Sequence, residues 1–132
     1  MSHLIRLPGL FGSGLKKNVI FDLLNLNQLE KIQGHSQFQW YGLPRLWADI
    51  QVILENDVRL IVMATEPVST QMIQAQFFPD LEIGADASAP VFYDIHTRHA
   101  HLFGGHSGYT LSQAQILNDI GQFIQSERNP LA

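Results

Sequence analysis

The sequence has no cysteine among its 132 residues. This absence excludes disulfides, thiolate zinc sites, iron–sulfur clusters and cysteine nucleophiles. Charged residues are also scarce, at 15%, where a soluble domain usually has about 25%. Eight Lys and Arg stand against twelve Asp and Glu, which gives a formal net charge of −4. Because nonspecific nucleic-acid binding needs a basic surface, we expect no nucleic-acid partner.

Long apolar runs are absent as well. No stretch approaches the roughly 20 apolar residues of a membrane span, and Pro8, Gly9, Gly12 and Gly14 interrupt the N-terminal stretch, which argues against a secretory signal. We therefore expect a cytoplasmic protein with no membrane partner. The 45% hydrophobic content excludes a disordered tail and predicts that residues 1–132 form a single domain, with a surface rich in Gln and Asn.

Apolar periodicity predicts several helices. The first begins near Ser13 and restarts over 28–33, and the second opens at Pro44 and breaks at Asn56-Asp57. A short helix is weakly favoured within 67–78. The last helix carries an apolar stripe from Ile116 to Ile124, with Thr110 and Gln113 proposed as its capping box.

Two regions are typical of β-structure. The run 58–63 is short, apolar and β-branched, as in a buried strand, and the runs 91–95 and 99–103 flank a tight connection typical of a hairpin. The order of helices, strands and a closing helix predicts an α+β fold. We expect a small, mainly antiparallel sheet packed with N-terminal helices and a C-terminal amphipathic helix.

A histidine cluster raises the question of a metal site. If 99–103 is a strand, His99 and His101 project to one face, where His106 or Asp94 would complete a zinc site near His96. The alternative is a half-exposed hairpin face that merely tolerates histidine. That alternative is favoured, because no Glu accompanies the pair at a metalloprotease spacing.

Two further motifs lack residues that their chemistry requires. The segment 9–17 is rich in glycine, but Leu15 stands where a phosphate loop needs lysine and Lys17 where it needs a hydroxyl. Ser107 lacks the glycine two residues later that a nucleophile elbow requires, since Tyr109 stands there. We assign no catalytic residue and no cofactor, and lean against an enzyme.

The charge is unevenly distributed. No basic residue lies between Arg59 and Arg98, so the interval 60–97 carries −5. Clustered charge of one sign steers a partner of the opposite sign, and interleaved aromatic side chains anchor it. The candidate partner-binding residues are Glu66, Phe78, Asp80, Glu82, Asp86, Tyr93 and Asp94.

Several short motifs resemble the SUKH superfamily, whose bacterial members are largely immunity proteins. They are the helical piece 29–34, Leu43-Pro44 opening an amphipathic helix, Asn56-Asp57 where the family commonly has Asn-Gly, and a closing block over 83–125. This block consists of a polar loop, a strand often containing Asp, a turn, a second strand and a terminal helix. The resemblance implies a binding protein without shared catalytic residues.

We therefore expect an immunity or antitoxin-like protein that occludes the basic active-site surface of a cognate toxin with acidic residues. The competing hypothesis is a small histidine-dependent metal protein or enzyme that uses the cluster of His96, His99, His101 and His106, with His99, His101 and His106 as the metal ligands. A third option is a structural subunit that forms a homodimer through the neighbourhood of Trp40, Tyr41 and Trp47.

Overall fold

The structure is a computed structural model that describes residues 2–15 and 18–128. Helices and short strands alternate along these residues. The helices are α1 (Val19–Leu24), α2 (Leu46–Glu55), α3 (Thr70–Phe77) and α4 (Gln113–Arg128), and the strands are β1 (Leu4–Arg6), β2 (Gly9–Phe11), β3 (Gln37–Phe38), β4 (Trp40–Gly42), β5 (Leu60–Val62) and β6 (Val68–Ser69). Short 3₁₀ helices cover Leu29–Lys31, Leu43–Arg45 and Ala100–Phe103.

Polar caps determine where two helices begin. The side chain of Asn18 accepts a hydrogen bond from the Phe21 N–H at 2.8 Å and starts α1. The prediction of a start near Ser13 is therefore wrong, because Gly14 has a φ of +88° and belongs to a turn. Lys17, which stands where a phosphate loop needs a hydroxyl, lies outside the described residues. The Ser69 hydroxyl caps α3, which confirms a short helix within 67–78.

The long C-terminal helix is confirmed, but its cap differs from the prediction. The Ser112 hydroxyl accepts from the Gln115 N–H at 3.2 Å, and the Gln115 side chain accepts from the Ser112 N–H at 2.9 Å. This is a capping box shifted from the predicted pair of Thr110 and Gln113. The Thr110 hydroxyl donates instead to the Ala64 carbonyl at 3.2 Å.

Helix α2 follows the predicted pattern at both ends. Pro44 lies at the start of the 3₁₀ turn that leads into it, and Asn56 caps its C-terminus. Its apolar stripe is only partly used, because Ile53 is buried whereas Trp47 and Leu54 are exposed. The predicted helical restart over 28–33 is a single 3₁₀ turn.

The strands pair in three short sheets. β1 lies parallel to β5, β2 lies parallel to β4, and β3 is antiparallel to β6. β1 and β2 are separated only by Leu7-Pro8, so the chain changes partner there, at a proline that has no N–H to donate. β5 falls within the predicted strand 58–63, and the α+β class is confirmed. The expectation of mainly antiparallel pairing is wrong for two of these three pairs.

The predicted hairpin does not form. Residues 91–95 run parallel to β3, with a bridge between Gln37 and Phe92. The second run forms the 3₁₀ helix Ala100–Phe103, which ends at Gly104 with a φ of +74°. The second strand that the SUKH resemblance implies is therefore absent from the described chain.

Two clusters of buried side chains hold these elements together. The larger joins α1, α3 and α4 to β2, β4 and β6, with Ile20, Ile73 and Ile120 fully buried. The smaller packs Tyr41, Ile53, Ile61 and Met63 between α2 and the β1–β5 pair. Among the described residues, none of the helices has the length and apolar character needed to cross a membrane.

Candidate functional site

Glu66 serves α4 rather than an open surface. Its carboxylate accepts a hydrogen bond from the Gln113 N–H at 2.6 Å, at the first residue of the helix. Its own N–H donates to the Leu111 carbonyl at 3.0 Å. Because a carboxylate at a helix N-terminus satisfies a free N–H and opposes the helix dipole, Glu66 has a structural role.

The sequence predicted Phe78 as a partner-binding residue, but the structure places it in the core. Its side chain is only 5% exposed and lies in the larger core cluster, with the Arg128 guanidinium 4.8 Å from the ring centroid. Arg128 ends the 16-residue α4, which starts at Gln113 beside Glu66. A helix of this length spans about 24 Å, so Glu66 and the segment after Phe78 lie at opposite ends of α4.

The remaining carboxylates also separate into two groups. Asp86 forms an ion pair with Lys31 and donates its N–H to the Glu30 carbonyl, so one predicted docking charge is partly neutralised. Asp80 and Glu82 are exposed, and they follow Phe78, which lies beside Arg128 at the C-terminal end of α4. Asp94 lies elsewhere, where it accepts a hydrogen bond from the Tyr109 hydroxyl. The five carboxylates therefore do not form one continuous acidic patch.

Asp94 and Tyr109 form a small exposed polar group. The hydrogen bond to Asp94 is the main cause that raises the pKa of Tyr109 to about 12, with the Glu66 charge adding to it. The His96 ring stacks on Tyr109 with centroids 4.9 Å apart, and its Nε2 lies 3.6 Å from Asp94 Oδ1. Gly108 permits this packing, because a Cβ there would lie 2.8 Å from His96.

The histidines do not converge on a metal site. His99 precedes the 3₁₀ helix, His101 is exposed within it, and His106 lies in a bridge with Tyr109. The strand geometry that would have aligned His99 with His101 is absent. Across residues 2–15 and 18–128, no three His, Asp or Glu side chains are grouped to hold a metal ion.

Residues 91–95 are extended and lie along the outer side of β3, and we call them the edge segment. It hydrogen-bonds to β3 on one side only: Gln37 donates its N–H to the Val91 carbonyl at 2.9 Å, and Tyr93 donates its N–H to the Gln37 carbonyl at 3.0 Å. In such a parallel pair, every second residue of the edge segment points its backbone N–H and C=O groups away from β3. Phe92 and Asp94 therefore direct theirs outward, and no described residue bonds to them.

A side chain extends this ladder past the end of β3. The Gln39 carboxamide accepts from the Ile95 N–H at 2.8 Å and donates to the Ile95 carbonyl at 2.6 Å. It also donates to the Thr65 carbonyl at 2.8 Å, so both N–H groups of the carboxamide and one lone pair of its oxygen are used. Gln39 thus fixes the edge segment to the buried part of the fold.

The edge segment exposes most of its apolar side chains. Val91, Phe92, Tyr93 and Ile95 have exposed fractions between 46% and 65%. Side chains alternate across such a segment, so Val91, Tyr93 and Ile95 share one face and Phe92 and Asp94 share the other. Contiguous exposed apolar surface of this kind is typical of interaction sites.

A cavity adjoins the first of these faces. It has a volume of about 290 Å³ and lies where the chain passes from β1 to β2, with Tyr93 and Ile95 on one wall and Phe38 and Trp40 beside them. Tyr93 stacks on Phe38 with ring centroids 5.8 Å apart. Val62 also lines the cavity, two residues from the exposed Leu60. The apolar surface therefore continues from the edge segment onto the β1–β5 pair.

The neighbourhood proposed for a homodimer is not a surface. Trp40 and Tyr41 are buried, and only Trp47 is exposed, at 71%. Leu54 lies two helical turns further along α2 and is also exposed. This pair is smaller than the apolar surface of the edge segment and has no open backbone edge beside it.

Two partly buried polar pairs lie beside one another, the first between β4 and α2 and the second between the 3₁₀ turn 43–45 and α4. The Tyr41 hydroxyl donates to Asp49, and the Arg45 guanidinium forms two hydrogen bonds with Asp119. Burial raises the pKa of Asp49, and the bond to Asp119 raises the pKa of Arg45. Each donor pairs with one carboxylate, so both pairs are satisfied internally and have a structural role.

The sequence missed three residues of the edge segment: Val91, Phe92 and Ile95. These residues form an apolar run that Asp94 alone interrupts, and this pattern predicted a strand of a partly buried hairpin rather than an exposed edge. Tyr93 and Asp94 were predicted for the right segment, on charge and aromatic character. Gln39 carries no sequence signal, since its role depends on a contact 56 residues away.

No protein-family model matches this sequence, and no curated protein matches it either. The resemblance to the SUKH superfamily therefore stays a prediction.

Proposed function

We propose that this protein binds a cognate toxin and neutralises it by covering its basic active-site surface. The observation that carries the proposal is the edge segment. It combines four exposed apolar side chains with outward-facing backbone groups and one carboxylate, Asp94. Protein interfaces typically have an apolar, aromatic centre and a polar rim, and this surface has both.

Charge favours a basic partner. Asp94 lies in the edge segment, where it accepts a hydrogen bond from the Tyr109 hydroxyl, so one carboxylate lies beside the apolar surface. Among the described residues, no lysine or arginine forms an ion pair with Asp94, although His96 Nε2 lies 3.6 Å from its Oδ1. Negative charge beside an apolar surface speeds encounter with a basic protein and repels an acidic one.

The immunity role is the form of binding that the family resemblance implies. The motif Asn56-Asp57 supports the resemblance, because Asp57 has a φ of +48°, in the left-handed region that favours glycine. The family commonly has glycine at this position. Such a role would be exercised in the cytoplasm, in agreement with the composition.

Co-expression tests the proposal. The proposal predicts that a toxin domain is encoded beside this protein's gene, and this domain is to be produced in cells whose growth it arrests. We expect this protein to restore growth and to form a complex whose association slows as salt rises. Arrested growth together with no complex of the two purified proteins at micromolar concentration would refute the proposed function.

A further inference from the structure

We infer that the partner contributes an extended chain segment that adds as a further β-strand to the open edge of residues 91–95. This inference rests on the proposed function and specifies how the partner is held. The edge segment is bridged to β3 at Gln37, and β3 pairs on its other side with β6, so β3 lies between them. The segment is the outer one, and its free side is where a fourth strand would pair.

The hydrogen bonds define which groups are free. Val91, Tyr93 and Ile95 form backbone hydrogen bonds with Ser36, β3 or Gln39, whereas Phe92 and Asp94 direct their backbone groups outward. An added strand would therefore exchange hydrogen bonds with Phe92 and Asp94 alone. This alternation gives the inference a residue-by-residue signature.

The edge lacks the usual protection against pairing. Natural edge strands are commonly blocked by Lys, Pro or a bulge. Within 91–95 there is no proline and no lysine, and the single charged residue is Asp94. The segment is nevertheless held firmly at both ends, because the Val91 N–H donates to the Ser36 hydroxyl at 3.1 Å and Thr97 donates to the Gly108 carbonyl.

The two faces specify the chemistry of the added segment. Side chains on one face would lie beside Val91, Tyr93 and Ile95, the last two of which line the cavity, so apolar residues fit there. Side chains on the other face would lie beside Phe92 and Asp94, where a basic residue pairs with the carboxylate. The segment therefore alternates apolar and basic residues. A second copy of this chain fits less well, since its own edge segment carries Asp94 and no base.

The test uses the whole protein labelled with ¹⁵N and a synthetic probe, acetyl-Lys-Val-Lys-Ile-Lys-Val-amide. In the free protein we expect the amides of Phe92 and Asp94 to exchange with solvent much faster than those of Tyr93 and Ile95. The probe should bind and slow exchange at Phe92 and Asp94 at least tenfold. The same peptide with Glu in place of Lys should bind at least tenfold more weakly.

Matched variants separate pairing from packing. F92P removes an outward N–H without touching a bond to β3, and proline is tolerated at such edge positions. We expect it to weaken probe binding about tenfold or more, while F92L stays within about threefold of the wild type. Far-ultraviolet circular dichroism and unfolding midpoints confirm that both variants fold.

Three results would overturn the inference. They are no probe binding at millimolar concentration, binding without slowed exchange at Phe92 and Asp94, and protection of these amides in a free protein that sediments as a dimer. The last result would identify a second copy as the occupant. Each is compatible with growth rescue in the co-expression assay, so the binding mode can fail while the proposed function stands.

Discussion

The carboxamide of Gln39 replaces a strand partner for Ile95, accepting from its N–H at 2.8 Å and donating to its carbonyl at 2.6 Å. β3 ends at Phe38, one residue earlier, so this side chain carries the pairing one step further. The edge segment therefore depends on a single buried glutamine for its position at Ile95.

Replacement of Gln39 by leucine should loosen the edge segment. The variant leaves three backbone groups of Ile95 and Thr65 without their partners, and we expect the free energy of unfolding to fall by about 2 kcal/mol. Amide exchange at Ile95 should accelerate more than that at Ile120. Chemical denaturation and hydrogen exchange measure the two effects.

Q37A is the matched control, because the Gln37 side chain is exposed and only its backbone pairs with the edge segment. It should change stability by less than about 0.5 kcal/mol. Equal losses in Q39L and Q37A would show that the Gln39 carboxamide does not hold the segment.

Replacement of Glu66 by alanine should destabilise α4. The carboxylate satisfies the Gln113 N–H at the helix start, and the loss of such a cap costs about 1 kcal/mol. E66Q keeps an acceptor oxygen and should lose less. Thermal unfolding measures the difference. D80A is the control, since Asp80 is exposed, and an E66A variant as stable as D80A would contradict the capping role.

Asp49 should impose a pH dependence on stability. Burial raises its pKa above the ordinary value of 3.8, while the Tyr41 hydroxyl and the Arg45 charge act in the opposite direction. The folded chain therefore keeps this proton to higher pH than the unfolded chain does. Because the folded state binds more protons in that window, the contribution of Asp49 to stability falls as pH rises from about 4.

The variant D49N lacks this titration, and its amide oxygen can still accept from Tyr41. We expect the free energy of unfolding of the wild type, relative to D49N, to decrease as the pH rises above about 4. Urea denaturation at several pH values gives this difference directly. A difference that stays constant or increases with pH would contradict the raised pKa.

Local sequence signals predicted α2, α3 and α4. In α4, Ile116, Ile120 and Ile124 recur at helical spacing and are all buried, and Pro44 and Asn56 mark the two ends of α2. These signals depend on neighbouring residues along the chain. The start of α1 was wrong because an adequate cap at Ser13 competes with a better one at Asn18.

Pairing between distant segments could not be predicted from the sequence. The run 91–95 has the composition of a hairpin strand, but its partner is Gln37, more than 50 residues earlier. Glu66 was predicted as a docking charge because its contact with Gln113, 47 residues away, leaves no local trace. The site was therefore predicted in part, through Tyr93 and Asp94, and its backbone edge only became visible in the structure.

Isothermal titration of the toxin domain with single-residue variants tests the central claim most directly. Phe92 and Trp47 are both exposed aromatic residues, at 65% and 71%, and only Phe92 lies in the edge segment. We predict that F92S weakens binding at least tenfold and that W47S leaves it within about twofold. Unchanged affinity in F92S together with a loss in W47S would contradict the account and move the interface to α2.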